Sequence, residues 1–444
     1  MNNHMTGKVK QNFASISDRI ERVDILNGVQ LLSMKADIDD VVTIQGSLLG
    51  GDVFTPKSNS AIAEMTAAML DQGSTYRDKF EISKALEEVG AAVAFSAGNY
   101  RVRFGGRCMK KDVPLVIELL AEQLRCPAMN RDDLRSTKKR HAGDYKKLKE
   151  DTRTRAMEVF LQEIYPENHP NFFIPINQRI HDTGNVEVQD LKKFHTGNYG
   201  RGHLILVAVG DVNRKSLEKS VRQAFSDWQI SPLLIKHEEL VKAKDRHEDH
   251  VQVITMRDKA SVDLVLGQPT GIDRDHEDFH PLIVGHYILG GNFSSRLMST
   301  IRDEQGLTYA IGSAMGGSDN GNDGFWCISG SYAPQLIQQG REATFRELQQ
   351  WTSGGVTEDE LEAKKTTITG TYKVSLATTG GLASRILMTV ERGRELSYID
   401  EYTNKISGLT LEQVNKTIKK YCDTTNLITV VAGSIDKNWR ALEE

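Results

Sequence analysis

No apolar run in the 444-residue chain approaches the roughly twenty residues needed to span a bilayer, which excludes a helical membrane protein. Cysteine is scarce. Cys108, Cys126, Cys327 and Cys422 lie far apart, with no CxxC or Cys/His zinc spacing, so neither a disulfide framework nor a zinc ribbon is expected. They read as buried or incidental thiols of a reducing compartment. A basic excess is missing too: a formal charge of −4 and a pI near 6.3 leave no electrostatic footprint for nucleic acid. The opening MNNHMTGKVKQNF lacks the apolar core of a secretory signal, so the expected location is the cytoplasm, or the periplasm if a signal has been removed. What the chain does have is 39% hydrophobic and 26% charged residues, the balance of an ordinary globular protein. Its length calls for two or more domains.

Internal repetition organises those domains. Around residue 200, DLKKFHTGNYGRGHLILVAVGDVNRKSLEKSVRQAF reads as helix, strand, glycine turn and helix, and LEQVNKTIKKYCDTTNLITVVAGSID repeats the scheme near the C-terminus. Tyr199 and Gly210 correspond to Tyr421 and Gly433. The opening segments repeat as well: IAEMTAAML, ISKALEEVG and AAVAFSAGNYRVRFGG are answered by LIVGHYILGG, LMSTIRDEQG and LTYAIGSAMGGSDNGNDGFWCISGSY. The charged LLIKHEELVKAKDRHEDH carries no apolar periodicity and reads as a linker. The expected domains are therefore 1–232 and 251–444, joined by 233–250. Runs such as VVTIQGSLLGG and HVQVITM have the β-branched character of strands, and Asn27-Gly28 is a hairpin signal. Interleaved with helices such as VPLVIELLAEQL, they predict an α+β fold of two tandem, similar domains, each a largely antiparallel sheet packed with helices.

Four pieces in fixed order, Ile288-Leu289-Gly290-Gly291, Ser295-Arg296-Leu297, Ile301-Arg302 and Gly306-Leu307-Thr308-Tyr309, join LNGV near Leu26 and the segment from Gly73 in carrying a resemblance. Over essentially its whole length the chain resembles the pitrilysin, insulinase and mitochondrial processing peptidase family. The resemblance implies two facing domains forming a clam-shell-like half of a chamber. Active members carry HxxEH on a first-domain helix: two histidines on one helical face bind zinc and the glutamate polarises the attacking water. Alignment through Met69, Leu70 and Gly73 places Glu64, Ala67 and Ala68 at those three positions, and the two alanines can neither ligate nor act as a base. The match to the family's distal glutamate is Asp144, among Lys138, Lys139, Arg140, Lys146 and Lys147, whose field opposes a divalent cation. No metal is expected in this chain.

Two other histidine pairs stand outside that motif. His276 and His280 match HExxH, but Pro281 follows directly and proline is tolerated only in a helix's first turn, so the helix is expected to begin near Pro281 and the pair not to share one face. His247 and His250 read as solvated linker sequence.

Taken alone, a helix arginine is usually a surface residue and a strand tyrosine usually core. In the family, an arginine and tyrosine at the spacing of Arg302 and Tyr309 reach the substrate near the zinc and hydrogen-bond the carbonyl as it becomes an oxyanion. The resemblance therefore implies the zinc-less subunit of a heterodimeric metallopeptidase, inactive alone, whose homologous partner supplies HxxEH and zinc, with a peptide as substrate. The alternative is a non-enzymatic structural or peptide-binding subunit, like the core proteins of respiratory complexes. Autonomous zinc hydrolysis through His276 and His280 is a third reading. Arg296 is expected to satisfy backbone carbonyls or a carboxylate, SAMGGSDNGNDGF to form a hairpin tip, and Ala91–Phe95 to be the sheet edge at which family members hold peptides.

Overall fold

A computed structural model describes residues 15–236, 240–245 and 248–442. The first sheet contains β1 (Ile20–Leu26), β2 (Val29–Lys35), β3 (Val41–Leu49), β4 (Ala92–Ala97), β5 (Arg101–Met109) and β6 (Leu204–Gly210) in the order β1-β2-β6-β3-β5-β4. The second contains β7 (His250–Thr255), β8 (Val262–Pro269), β9 (Thr308–Gly316), β10 (Phe325–Tyr332) and β11 (Ile428–Gly433) in the order β7-β11-β8-β10-β9. Each sheet has one parallel pair, β2 with β6 and β7 with β11, and is otherwise antiparallel. Removing β1, the arm turned back by Asn27 and Gly28 (φ +82°), makes the two orders superimpose, with β4 matched to β9. The repetition seen in the sequence is thus a repetition of topology.

Apolar residues of the first half close one core between β2–β6 and the helices Ile62–Ala68, Val113–Arg125, Val188–Asn198 and Arg214–Phe225. A matching core forms in the second half beneath the helices Phe279–Gly290, Ile337–Gly354 and Leu411–Tyr421. Each sheet has a second apolar face, and neither half covers its own. The helix Thr152–Ile164, from the first half, lays Ala156, Phe160 and Ile164 on Val265, Val430 and Ala432 of the second sheet. The helix Thr379–Glu391, from the second half, lays Leu382, Ala383, Ile386 and Leu387 on Leu32, Val207 and Val209 of the first. Strands buried on both faces read as continuous apolar runs, which is why LILVAVG and ITVVAG show no alternation.

Loops complete the exchange. The turn after β9 is a hairpin tip, but its end is not solvated: Asn322 bonds Tyr100 and Asp323 pairs with His169 at 3.0 Å, both pairs buried. Asp323 also accepts from Ala243 N, and Lys244 N donates to Ile164 O, so the described part of the linker is stitched to both halves. His247 lies outside the described residues. His250 is not linker: it opens β7 and faces Glu163 at 3.5 Å. No helix among the described residues is long and apolar enough to cross a membrane.

This exchange predicts one cooperative unfolding unit. Phe160→Ala, at a fully buried ring 5.8 Å from Phe325, should cost about 3–5 kcal/mol and lower a single calorimetric transition. Two transitions, only one of them shifted, would show that the halves fold independently.

Candidate functional site

Between the halves lies a cavity of about 890 Å³, walled by Phe95–Arg101, by Phe172 and Phe173, and by the β9–β10 turn. The edge strand β4 runs along it, and the Ile62–Ala68 helix presents Glu64, Ala67 and Ala68 to it. Glu64 is enclosed by three donors. His141 Nδ1 stands 3.2 Å away, Tyr145 donates its hydroxyl, and Arg179 Nη1 approaches at 3.3 Å. Arg179 Nη2 also bonds Asp52 Oδ2 at 3.1 Å, and Nη1 donates to Ser60 O, so one guanidinium bridges two carboxylates. Burial acts to raise the Glu64 pKa, but the bonds from His141 and Tyr145 and the Arg179 charge outweigh it and hold the carboxylate below its ordinary range. At Asp52 burial wins and the pKa rises, consistent with an Oδ1 that finds no partner.

These residues do not fit zinc. Of the three HxxEH positions only Glu64 offers a donor atom, and a guanidinium already supplies the cation that Glu64 and Asp52 require. Asp144 is not brought to the cluster. On the helix Arg131–Glu150 the face toward Glu64 is taken by His141 and Tyr145, one turn apart, while Asp144 points to solvent and pairs with Lys147 at 3.3 Å. Lys138 donates to Gly184 O, and Lys139, Lys146 and Lys147 face outward, whereas Arg140 lines the cavity. Among the described residues no group of three or more His, Cys, Asp or Glu side chains is placed to hold a metal ion. Arg179 escaped the reading of the sequence because its partners lie more than a hundred residues away and no local spacing announces it.

His276 and His280 do not share a helical face. The helix Phe279–Gly290 begins three residues after His276, whose Nδ1 accepts from Asp278 N in the preceding loop. His280 packs on Tyr398, whose hydroxyl lies 3.1 Å from Nε2.

Arg302 and Tyr309 occupy a different place. They do not line the cavity. Tyr309 lies near the start of β9, seven residues from the strand's cavity end, or about 23 Å of extended chain. The segment Met298–Glu304 winds as a π-helix, burying Met298 and Ile301 and carrying Arg302 in its last turn; it stops at Gly306, at φ +65°. The chain then enters β9 through a β-bulge: Thr308 pairs with Tyr332 and Ala310 with Ser331, leaving Tyr309 as the extra residue. The Thr308 hydroxyl bonds the Ser331 and Ala310 carbonyls and seals the bulge. Tyr309 is thereby turned outward, 85% exposed, on the edge strand of its sheet. Arg302 lies 5.6 Å from the Tyr309 ring centroid and 5.6 Å from that of Phe293. Arg296 forks onto Glu360 with both bonds at 2.6 Å and reaches Gly355 O. Gly290 is needed for contact: a Cβ there would collide with Ser313 N of β9.

Two outcomes follow. Rebuilding the motif as Glu64→His, Ala67→Glu and Ala68→His should give no stoichiometric zinc by elemental analysis, because Arg179 keeps its charge at the site and Asp144, the match to the distal ligand, points to solvent; one zinc per chain would contradict this. Burial, reinforced by Arg394 and Lys405, depresses the His280 pKa to about 4, and burial alone depresses that of His286 to about 3. A histidine depressed in the fold stabilises fully above its unfolded pKa near 6.5, and that stability is lost as pH falls toward the folded value. At roughly 1.4 kcal/mol per pKa unit, urea unfolding should show a loss of several kcal/mol between pH 6.5 and 4. His280→Gln should flatten that slope, and an unchanged slope would count against the assignment.

With the geometry in hand, comparisons place the chain among known proteins. A model of the insulinase family, peptidase family M16, matches residues 33–170, and a model of the peptidase M16 inactive domain matches residues 185–368. A protein of Streptomyces coelicolor described as an uncharacterized zinc protease is 23% identical over 88% of this chain and 84% of its own length. A non-peptidase homolog from Helicobacter pylori is 20% identical, over 88% of each chain. Among solved structures, a peptidase M16 inactive domain from Pseudomonas fluorescens superimposes with a TM-score of 0.85 at 21% identity, covering 96% of this chain and all of that one. A protease from Helicobacter pylori gives 0.83 at 18% identity, covering 93% and 99%. The fold is the one these two structures share, and the chain belongs to the M16 peptidase family.

Proposed function

We propose that this chain is the zinc-less subunit of a heterodimeric M16 peptidase, contributing Arg302 and Tyr309 to a site whose HxxEH belongs to a homologous partner. The observation that carries the reading is the placement of the pair: outward, on two local backbone irregularities, and away from the chain's own Glu64 cluster. A ring 85% exposed buries little apolar surface and so contributes little to folding. The partner's HxxEH residues would hold the zinc, which would supply the activated water. The Tyr309 hydroxyl donates to the peptide carbonyl oxygen as negative charge grows there, and the permanently protonated Arg302 adds donors and a positive charge. Both groups act on charge that exists only in the transition state, so their removal is expected to fall on turnover rather than on binding.

The name of the Helicobacter pylori relative, a non-peptidase homolog, favours a second reading, in which the chain keeps the fold and an interface and performs no chemistry. The two readings separate on turnover in the complex. Arg302→Ala and Tyr309→Phe should each lower kcat by about 10²–10³, with assembly unchanged by sedimentation. Wild-type turnover in both variants would sink the first reading.

A further inference from the structure

We infer that Phe293 is a positioning residue: its ring, carried on a loop that the Lys364 ammonium holds, clamps the Arg302 guanidinium together with Tyr309 and sets the direction in which Arg302 presents its donors. This rests on the role proposed for Arg302 above and adds a residue that no spacing in the sequence singles out.

The Arg302 side chain is 31% exposed. Its ion pair is with the adjacent Asp303 at 2.9 Å, and that carboxylate is 54% exposed, so solvent screens the pair. A long side chain tethered only there would sample many rotamers. The two rings, each with its centroid 5.6 Å from the guanidinium carbon, lie within the range of cation–π attraction.

Phe293 is exposed but not loose. Lys364, on the helix Glu358–Ser375, is buried and donates to Asn292 Oδ1 at 3.0 Å, Ser294 O at 2.8 Å and Ser294 Oγ at 2.7 Å, the residues on either side of Phe293. An ammonium has three protons, and here all three serve one loop. Burial lowers the Lys364 pKa, as expected for a cation stabilised by neutral acceptors rather than by a contacting carboxylate. One turn earlier on the same helix, Glu360 receives the Arg296 fork. Residues 292–296 are therefore gripped near both ends by Glu360 and Lys364, on one helical face, while the ring between them stays 75% exposed beside Arg302. The loop held by the buried ammonium thus keeps the Phe293 ring within cation–π distance of the guanidinium.

The test uses the complex with an HxxEH partner and, separately, the isolated chain. Phe293→Leu keeps apolar bulk without a π face; it should lower kcat about tenfold with KM and assembly unchanged, and Phe293→Tyr should restore the rate. Lys364→Met should reproduce the loss. In the isolated chain, nitrogen relaxation at Arg302 Nε should report a more mobile guanidinium in Phe293→Leu than in wild type. If Arg302→Ala lowers turnover while Phe293→Leu matches wild type in both rate and Nε mobility, the clamp is wrong and the role of Arg302 stands. If Arg302→Ala itself leaves turnover intact, the role of Arg302 on which the clamp rests fails. Rescue of Phe293→Leu activity by Tyr, together with restored Nε rigidity, supports the clamp; equal loss in Leu and Tyr variants overturns it.

Discussion

Each half of this protein leaves one face of its sheet bare, and the helix that covers it comes from the other half. Phe160 and Ile164 cross one way, and Leu382 and Ile386 the other. Because burial of apolar surface is the main force holding such faces, the halves cannot part without exposing both sheets. That constraint fixes the walls of the cavity between them and brings the β9–β10 turn against Tyr100 and His169. It also orients the outer edge of the second sheet, where β9 turns Tyr309 away from the cavity.

Against that fixed frame the two regions have diverged in chemistry. In the first half the positions of a metal motif hold Glu64, Ala67 and Ala68, and an arginine has taken the electrostatic place of a cation between Glu64 and Asp52. A carboxylate pair so near together would repel and shed ionisation without that charge, so the substitution is self-consistent. In the second half Arg302 and Tyr309 stand at the surface, supported by an unusual helical turn and a bulge. The proposed division of labour follows from this asymmetry: one region satisfied internally, the other with donors turned outward.

Much of the fold was legible because it is written in local signals. Asn27-Gly28 marked the first hairpin, the alternating and continuous apolar runs marked the strands, and Pro281 marked the start of a helix that in fact opens two residues earlier. The repetition of Tyr199 and Gly210 in Tyr421 and Gly433 marked the duplication. Besides Arg179, three features were not legible, each for a physical reason. The helix exchange depends on which apolar face meets which sheet, and an apolar stripe does not name its partner. Asp144 aligned with the distal metal position, but it lies about 100° of helical rotation from Tyr145, and only the packing angle of the helix decides which of the two faces Glu64. Phe293 and Lys364 are seventy-one residues apart and meet only through the folded loop.

The most direct measurement is reconstitution: zinc content and peptidase turnover of the purified chain, of a homologous HxxEH chain, and of their mixture. The account predicts no bound zinc in this chain alone, about one zinc per heterodimer, and turnover that appears only on mixing. Stoichiometric zinc and turnover in this chain alone, or a mixture no more active than the HxxEH chain by itself, would contradict it.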